Sequence, residues 1–510
     1  MKKIIYLFFA ISLLACESVN FDDPSTLTND EAIEKIKSLG YVLTTSSVQT
    51  AFRTTTNNAG GSHFSILADQ STNTNGSQSW WDFANEPRLR MNNNSAYRGN
   101  AAVREVYNNF YQVNLDATKV IDMIENKNVT IYDDAGNDRT ADCLVGAYYA
   151  KGVSQGYLGV IYDRGIIVDD VSVTTRAFPD SYRALIENGI RHLDRALELT
   201  ANTPNLKFDF LKGVTIPRAD VVRLTNSIAA RILSSLARDR AEAETLGDAF
   251  WRRVQDYAGK GFTSDFTITT VSGGYYNRLV DVLEQPYGTA TYVPVDIKIA
   301  YLADNTRSTP NYYPVDNDVI LQPVTSDDKR FYEYFDYSAS FGILMEARGR
   351  GLFSNYIRKR WMYPSSTLNI EGAVNPYFLA EELRLLRAEA LFWLNDYEGA
   401  AAELNAAGAS RKIRGGLPDV DPTEDALRAA LHYEYAIEID GAGGTFVPFT
   451  FMRRNDLLQG GTLTQFPVPQ IQLDLVGEQT YTFGGKEFAG EKGLFGELAT
   501  ARDNGWKLSQ

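Results

Sequence analysis

Two adjacent tryptophans, Trp80 and Trp81, lie in a polar stretch whose sequence over residues 77–87 is SQSWWDFANEP. The flanking sequences STNTNG and PRLRMNNN are typical of loops, so we expect the pair on a surface loop. An exposed aromatic ring is a flat apolar platform that suits the C–H face of a sugar ring. Asp69 and Asn92 flank the pair with groups that bond hydroxyls. Because neighbouring side chains of extended chain point to opposite sides, we expect one ring buried and the other exposed.

Residues that would carry catalysis or hold a metal are sparse. The three histidines, His63, His192 and His432, accompany no HExxH motif and no cysteine pair, so we expect no metal site and no cofactor. GxSxG and GxxxxGK[ST] motifs are missing. The run DDAGND at residues 133–138 lacks the spacing and the closing Glu of a calcium loop, and it predicts a solvated turn. A glycosidase needs two carboxylates, and 64 acidic residues leave that alternative open.

The N-terminus predicts export from the cytoplasm. Two lysines precede an apolar run that is too short to span a bilayer, so residues 1–15 are interpreted as a signal peptide. The run ends in LLAC, which resembles a bacterial lipobox, and Cys16 is therefore the expected site of lipidation. An ordinary secretory signal with a chance cysteine is the alternative. Residues 16–30 are acidic and are interpreted as a tether between lipid and protein body.

Charge and cysteine content narrow the classes of partner. The whole chain carries a formal charge of −14, and loss of residues 1–15 removes two lysines and no acids, which gives −16. This charge, without a long basic run, argues against nucleic acid as a partner. Cys143 is the second of two cysteines, so lipidation of Cys16 leaves no intramolecular disulfide. The fold must then be held together by its core.

Amphipathic helices are predicted on both sides of a loop-rich middle. Apolar residues recur at spacings of three and four over residues 101–126 and again over 180–200, and residues 220–240 are rich in alanine and leucine. A stripe from Leu379 to Trp393 runs into LFWLNDYEGAAAELNAA, which resembles a tetratricopeptide repeat, and residues 424–440 supply another helix. Helical pairs about 101–258 and 376–440 must therefore stack in space to cover their apolar faces.

Two regions, residues 41–95 and 261–375, are predicted to be rich in ordered loops and small hairpins. Short strands are predicted at residues 266–269 and 318–321. A compact domain keeps long irregular segments chiefly for binding. The sequence thus predicts one mainly α domain over residues 31–510, in which tetratricopeptide-like helical repeats form a scaffold and the loop-rich regions carry the binding face.

Several motifs, in their order along the chain, resemble those of the SusD/RagB-like family of outer-membrane nutrient-binding lipoproteins. After the lipobox come NNFYQVNLDA (108–117), DDKR (327–330), ELRLLRAEALFWL (382–394), YEYAIE (433–438), MRRNDL (452–457) and FPVP (466–469). The sequence departs from the family pattern where no arginine follows Glu434 and where GAGG replaces the usual loop at residues 441–444. The arginines and acids of residues 434–456 are predicted to form ion pairs that join the last helix to the rest of the protein, because buried charges need partners.

The resemblance implies a binding protein and not an enzyme. Family members capture oligosaccharides, or sometimes peptides, at the outer membrane and deliver them to a SusC-like TonB-dependent barrel transporter, with the repeat helices as a plausible docking face. Aromatic residues in the loop before the first repeat helix commonly line the glycan site of the family, a place that Trp80 and Trp81 occupy here. Tyr275 and Tyr276 are candidates for its opposite wall. Exported glycan hydrolase, peptide binder and pure assembly protein remain alternatives.

Overall fold

The computed structural model describes most of the chain, namely residues 29–56, 58–73, 80–172, 177–272, 274–275, 293–309, 322–339, 354–361, 372, 374–441, 446–503 and 505–506. Within these ranges, no helix is long and apolar enough to cross a membrane. The predicted signal peptide, Cys16 and the tether up to residue 28 lie outside them, as does the strand predicted at residues 318–321.

The described residues are mainly helical, as predicted. The helices are α1 (Asn29–Thr55), α2 (Asn58–Leu67), α3 (Trp80–Phe83), α4 (Ala101–Ile121), α5 (Thr140–Ile161), α6 (Tyr182–Asn202), α7 (Arg218–Ser234), α8 (Arg240–Thr245), α9 (Gly247–Lys260), α10 (Ile297–Ala303), α11 (Lys329–Tyr334), α12 (Ala380–Trp393), α13 (Tyr397–Asn405), α14 (Glu424–Ile437), α15 (Phe446–Arg454) and α16 (Gln470–Val476). A π-helical turn, Asp122–Asn126, extends α4, and Arg411–Gly415 forms another.

The long helices pack side by side in one stack. Helix α1 packs on α4, α4 on α5, α5 on α6 and α6 on α7, and α9 then joins this group to the later pair α12 and α13. Helix α12 also packs on α14. One apolar core runs through the stack from Val48 to Trp506. The two groups of repeats that are separate in sequence therefore form one stack in space, as their uncovered apolar faces predicted.

In the described residues the strands form four small antiparallel pairs. In chain order the strands are β1 (Arg164–Gly165), β2 (Asp180–Ser181), β3 (Phe208–Leu211), β4 (Val214–Ile216), β5 (Phe266–Thr269), β6 (Phe335–Tyr337), β7 (Tyr356–Arg358) and β8 (Val374–Phe378). β1 pairs with β2, β3 with β4, β5 with β8 and β6 with β7, and Phe266 lies opposite Phe378. The strand predicted at residues 266–269 is β5.

Helix α5 is the centre of the stack and is buried on nearly every side. Its glycines let α6 approach closely: a Cβ atom built on Gly189 of α6 would lie 2.5 Å from the backbone nitrogen of Gly156 in α5. Such a distance is well inside van der Waals contact, and the obstacle is backbone that no side-chain rotation removes. The glycines thus set the spacing between the two helices.

The prediction of a loop-rich region over residues 41–95 is wrong for its first part, because α1 continues to Thr55 and α2 follows it. The buried face of α1 contains small and polar residues, including Gly40, Thr44 and Ser47. The hydroxyl of Thr44 donates to the carbonyl oxygen of Gly40 at 2.8 Å, so it is satisfied inside the helix. A core face built in this way gives no apolar periodicity in the sequence.

Buried ion pairs fasten the C-terminal helices to the rest of the protein, as predicted for residues 434–456. Arg330 of α11 binds Glu434 of α14, and Arg454 of α15 binds Glu389 of α12, at N–O distances of 2.6–2.9 Å. All four of these side chains are at most 1% exposed. Arg358 also binds Asp440, just beyond α14. These charges are therefore placed for structure and not for ligand contact.

Candidate functional site

The tryptophan pair lies in the short helix α3, not in an extended loop. The amide of Ala84 donates to the carbonyl oxygen of Trp80 at 3.1 Å, and the side chain of Asn85 donates to the carbonyl oxygen of Trp81 at 2.9 Å. Trp80 is 1% exposed, whereas Trp81 is half-buried. The two rings differ in exposure, as predicted. The cause is a helical turn, however, and not the alternation of side chains in an extended chain.

Aromatic packing beneath the turn fixes its position. The ring of Phe83 lies edge-on to the ring of His63 at 4.7 Å between centroids and 6.0 Å from Phe466. Trp80 lies 6.5 Å from the same histidine ring. Phe64 joins Phe466 to the aromatic residues of α15. Trp80 therefore anchors the turn in the core and leaves Trp81 towards the surface.

An open cavity of about 230 Å³ begins at this turn. Segments distant in sequence form its wall, from α3, from the chain before α4 and from the chain after α15. Its lining residues are Leu67, Asp82, Phe83, Arg88, Leu89, Arg90, Met91, Asn92, Tyr97, Gly99, Asn100, Gly461, Thr462 and Leu463. Apolar side chains thus alternate with groups that bond hydroxyls, an arrangement suited to a small ligand with both apolar and polar faces.

Asn92 lines the cavity and is exposed, with its side-chain oxygen accepting the amide of Asn94 at 3.0 Å. Asp69 does not share this position. It is fully buried and accepts from Gln459 at 2.9 Å and from the indole N–H of Trp506 at 2.6 Å, and it also pairs with Arg88. The prediction that Asp69 meets ligand hydroxyls is wrong, because its carboxylate is committed to joining three segments beneath the cavity.

The tyrosines predicted for the opposite wall do not line this cavity in the described residues. Tyr275 is 3% exposed, its hydroxyl donates to Thr56 at 3.1 Å, and its ring packs near Phe52 and Tyr377. It is a core residue. Tyr276 lies outside the described residues.

Arg90 is a wall residue that local sequence did not reveal. Its guanidinium forms two hydrogen bonds of 2.9 Å with the carboxylate of Glu491 and lies 3.9 Å above the ring of Phe488. Arg88 is likewise engaged, donating to the carbonyl oxygen of Phe83 at 2.7 Å. The two arginines hold the C-terminal segment against the chain before α4, and each already has acidic partners. They therefore shape the cavity without giving it a free positive charge.

The C-terminal wall of the cavity depends on a glycine. Gly461 has φ +93°, and a Cβ atom there would lie 2.6 Å from the backbone nitrogen of Lys486. The amide of Gly485 donates to the carbonyl oxygen of Gly461 at 2.8 Å, so the two backbones touch directly. A larger residue would push this wall outwards.

The polar lining residues of the cavity are mainly amides, hydroxyls and arginines. Among its described lining residues, Asp82 is the one carboxylate, whereas glycoside hydrolysis needs two. In the described part of the chain, no group of three or more His, Cys, Asp or Glu side chains is placed to hold a metal ion. Asp133 of the predicted solvated turn accepts the amide of Asn137 at 2.9 Å, a local turn contact. Cys143 is a free, buried thiol.

Comparison with known proteins shows similarity at the level of structure. No family model and no curated protein sequence matches the chain. A SusD superfamily protein from Parabacteroides distasonis has a TM-score of 0.55 at 12% identity, covering 93% of this chain and 95% of its own. A SusD-like carbohydrate binding protein from Bacteroides fragilis also has 0.55 at 12% identity, covering 90% and 93%. A SusD homolog from Bacteroides thetaiotaomicron has 0.55 at 14%, covering 81% and 88%. The chain therefore has the SusD-like fold, in a divergent sequence.

Proposed function

We propose that the protein is a cell-surface lipoprotein that binds oligosaccharides at the cavity beside Trp81 and passes them to a TonB-dependent barrel transporter. The observation that carries the binding proposal is the cavity itself, where apolar side chains alternate with Asn92, Tyr97 and Thr462. A sugar has the same alternation, with C–H faces and hydroxyl edges. A similar fold in a protein described as carbohydrate binding supports this ligand class.

The cavity is smaller than the roughly 300 Å³ at which ligand pockets usually begin. It therefore takes part of an oligosaccharide, and the remainder of the ligand extends over the surface of α3. Trp81 does not line the cavity itself; it is the half-buried aromatic residue of that surface and precedes the lining residue Asp82 in the chain. A neutral glycan is favoured, because the chain is strongly negative and both cavity arginines have acidic partners.

Trp81→Ala and Asn92→Ala test the binding proposal. Calorimetric titration of the wild type with neutral oligosaccharides selected on a glycan array gives the reference affinity. Loss of one stacking ring weakens binding by about 1–3 kcal/mol, judged from the area that an aromatic ring buries. Tyr332→Ala is the matched control, because Tyr332 is a 51% exposed aromatic residue of α11, whereas Trp81 lies on α3 next to the cavity-lining residue Asp82.

Two results would refute the proposal. Unchanged affinity of folded Trp81→Ala and Asn92→Ala would remove the cavity as the binding site. Release of new reducing ends from the bound glycan by the purified protein would support the rival hydrolase instead.

Membrane anchorage and transporter partnership are proposed from the LLAC motif and from the family resemblance. Cys16→Ala is expected to move the protein from the membrane fraction to the soluble fraction, because acyl chains supply most of the membrane affinity. Affinity capture from mildly solubilised outer membranes is expected to recover a large β-barrel protein. Retention of Cys16→Ala in the membrane with undiminished lipid label contradicts the anchor, and repeated recovery of the protein alone contradicts the partnership.

A further inference from the structure

A second open groove, with a volume of about 420 Å³, lies on the helical scaffold. It shares no lining residue with the cavity beside Trp81. Leu197 and Ala201 of α6 and Val222 of α7 give it apolar surface, and α9 contributes the opposite side. Helix α7 packs against both α6 and α9, so the groove follows the trough between its two neighbours.

One aromatic ring of the groove is held rigidly. The hydroxyl of Tyr257, on α9, donates to the carboxylate of Asp194, on α6, at 2.6 Å. Tyr257 is half-buried, so part of its ring faces the groove. The carboxylate is exposed and keeps acceptor capacity beyond this bond. A fixed ring beside a hydroxyl acceptor is a suitable surface for a sugar ring.

The charges of the groove are balanced. Arg253 binds Glu187 through two hydrogen bonds of 3.2 Å, and Lys260 binds Asp256 at 2.6 Å. Arg218 donates to the carbonyl oxygens of Thr200 and Ala201 at 2.9 and 3.0 Å, at the negative C-terminal end of α6. Asp194 and Asp256 line the groove, and Glu187, the partner of Arg253, is not itself a lining residue; together these three carboxylates balance the three cations in charge. This balance favours an uncharged polar ligand over an anion or a cation.

We propose that this groove is a second carbohydrate site, which binds a further stretch of a neutral polysaccharide. A peptide is less suited to it, because the groove is bounded by helices and presents no strand edge to pair with a peptide backbone. The inference rests on the proposed function for the class of ligand, but it concerns different residues. Two sites on one chain would hold a long polymer by avidity, whereas a short oligosaccharide would occupy one site at a time.

Affinity electrophoresis tests the second site with amylopectin, laminarin, xylan, mannan, galactan and inulin as probes in separate gels. Tyr257→Ala and Asp194→Asn are compared with the wild type and with the exposed-aromatic control Tyr332→Ala. We expect Tyr257→Ala to weaken retardation by at least one of these polymers about tenfold or more. Tyr257→Phe keeps the ring and is expected to retain most of the retardation. Thermal unfolding checks that each variant is folded.

Titration with tetrasaccharides of the same polymers separates this inference from the proposed function. Trp81→Ala should weaken tetrasaccharide binding at the cavity by about 5- to 150-fold, and Tyr257→Ala should leave this binding within about twofold of the wild type. The second site is overturned if folded Tyr257→Ala and Asp194→Asn are retarded like the wild type in every gel, or if no gel retards the wild type. Tyr257-dependent capture of peptides without retardation by any polysaccharide also overturns it. If Tyr257→Ala reduces retardation in the gels but Trp81→Ala leaves tetrasaccharide binding unchanged, the groove is a carbohydrate site and the cavity is not.

Discussion

Arg330 and Glu434 form a bidentate ion pair with N–O distances of 2.7 and 2.9 Å, and neither side chain has any exposed surface. The pair joins α11, which lies within the loop-rich residues 261–375, to α14 of the repeat scaffold. Burial alone would lower the pKa of Arg330, but its hydrogen bonds and charge interactions with Glu434 and Asp328 raise it instead. The guanidinium is therefore charged at every accessible pH, and its partners have to remain in place.

Removal of one partner should destabilise the protein strongly. In Glu434→Ala the arginine keeps Asp328 and Glu438 but loses its bidentate acceptor. Breaking a buried pair costs about 3–5 kcal/mol, because the remaining charge stays buried with poorer compensation. Urea denaturation followed by circular dichroism gives the free energy of unfolding. Glu198→Ala breaks the exposed Arg195–Glu198 pair and should change this energy by at most about 1 kcal/mol. Equal effects of the two substitutions would contradict a structural role for the buried pair.

The close approach of α5 and α6 gives a prediction with an internal control. In Gly189→Ala the new methyl group meets the backbone of Gly156, so the helices must separate, and we expect a loss of about 1–3 kcal/mol in unfolding free energy. A Cβ atom on Gly259, in α9, would have no neighbour within 4 Å. Gly259→Ala should therefore be neutral or stabilising by about 0.5–1 kcal/mol. Thermal denaturation of both variants measures the contrast, and a stable Gly189→Ala protein would show that the crossing tolerates a wider spacing.

We expect the unfolding free energy of the protein to depend on pH through the buried carboxyl group of Asp163. Burial raises the pKa of its carboxyl group to about 7, although the hydroxyl of Tyr481 donates to it. The folded protein thus binds this proton more tightly than the unfolded chain does, so the stability from this group is complete below about pH 4 and is lost as the pH rises through 7. Asp163→Asn removes the titration and keeps an acceptor for Tyr481.

Unfolding free energies at pH 5 and pH 8 test this dependence. The wild type should lose stability relative to Asp163→Asn between these two values, by at most about 1.4 kcal/mol per pH unit. The difference between the two proteins is the relevant quantity, because Glu381, whose pKa burial also raises to about 7, contributes equally to both. Parallel pH profiles for wild type and variant would show that the carboxyl group of Asp163 does not titrate in this range.

The helices visible in the sequence are those with one apolar stripe. Residues 101–126, 180–200 and 424–440 were predicted and correspond to α4, α6 and α14. Helix α5 gave no such signal, because burial on nearly all sides removes the contrast between its faces. Helix α1 was missed for a different reason, since Gly40, Thr44 and Ser47 interrupt the apolar pattern of its buried face ahead of Val48 and Phe52. Periodicity detects a contrast in residue type between the buried and the exposed face of a helix, and both helices have little of this contrast.

The site was predictable only in part. Local sequence drew attention to Asn92, which lines the cavity, and to the tryptophan pair, which does not. The cavity wall also needs Gly461, Thr462 and the support of Glu491, which lie more than 360 positions later in the chain than Asn92. No local pattern marks those residues. Asp69 was misassigned for the same reason, because its partner Trp506 lies 437 positions away. Both the cavity wall and the environment of Asp69 depend on contacts that form only in the folded chain.

Trp80 and Trp81 provide the last prediction, on stability. Trp80 is 1% exposed and packs near His63 in the aromatic core, so Trp80→Ala leaves a large cavity and should cost about 3–5 kcal/mol of unfolding free energy. Trp81 is half-buried, and Trp81→Ala should cost clearly less because the removed ring leaves a smaller void. Chemical denaturation of the two variants measures the difference, and Trp80→Phe, which refills part of the volume, should recover part of the loss. If Trp81→Ala proved the more destabilising change, the inner ring would be Trp81, and its proposed role as the ligand platform would fall with that result.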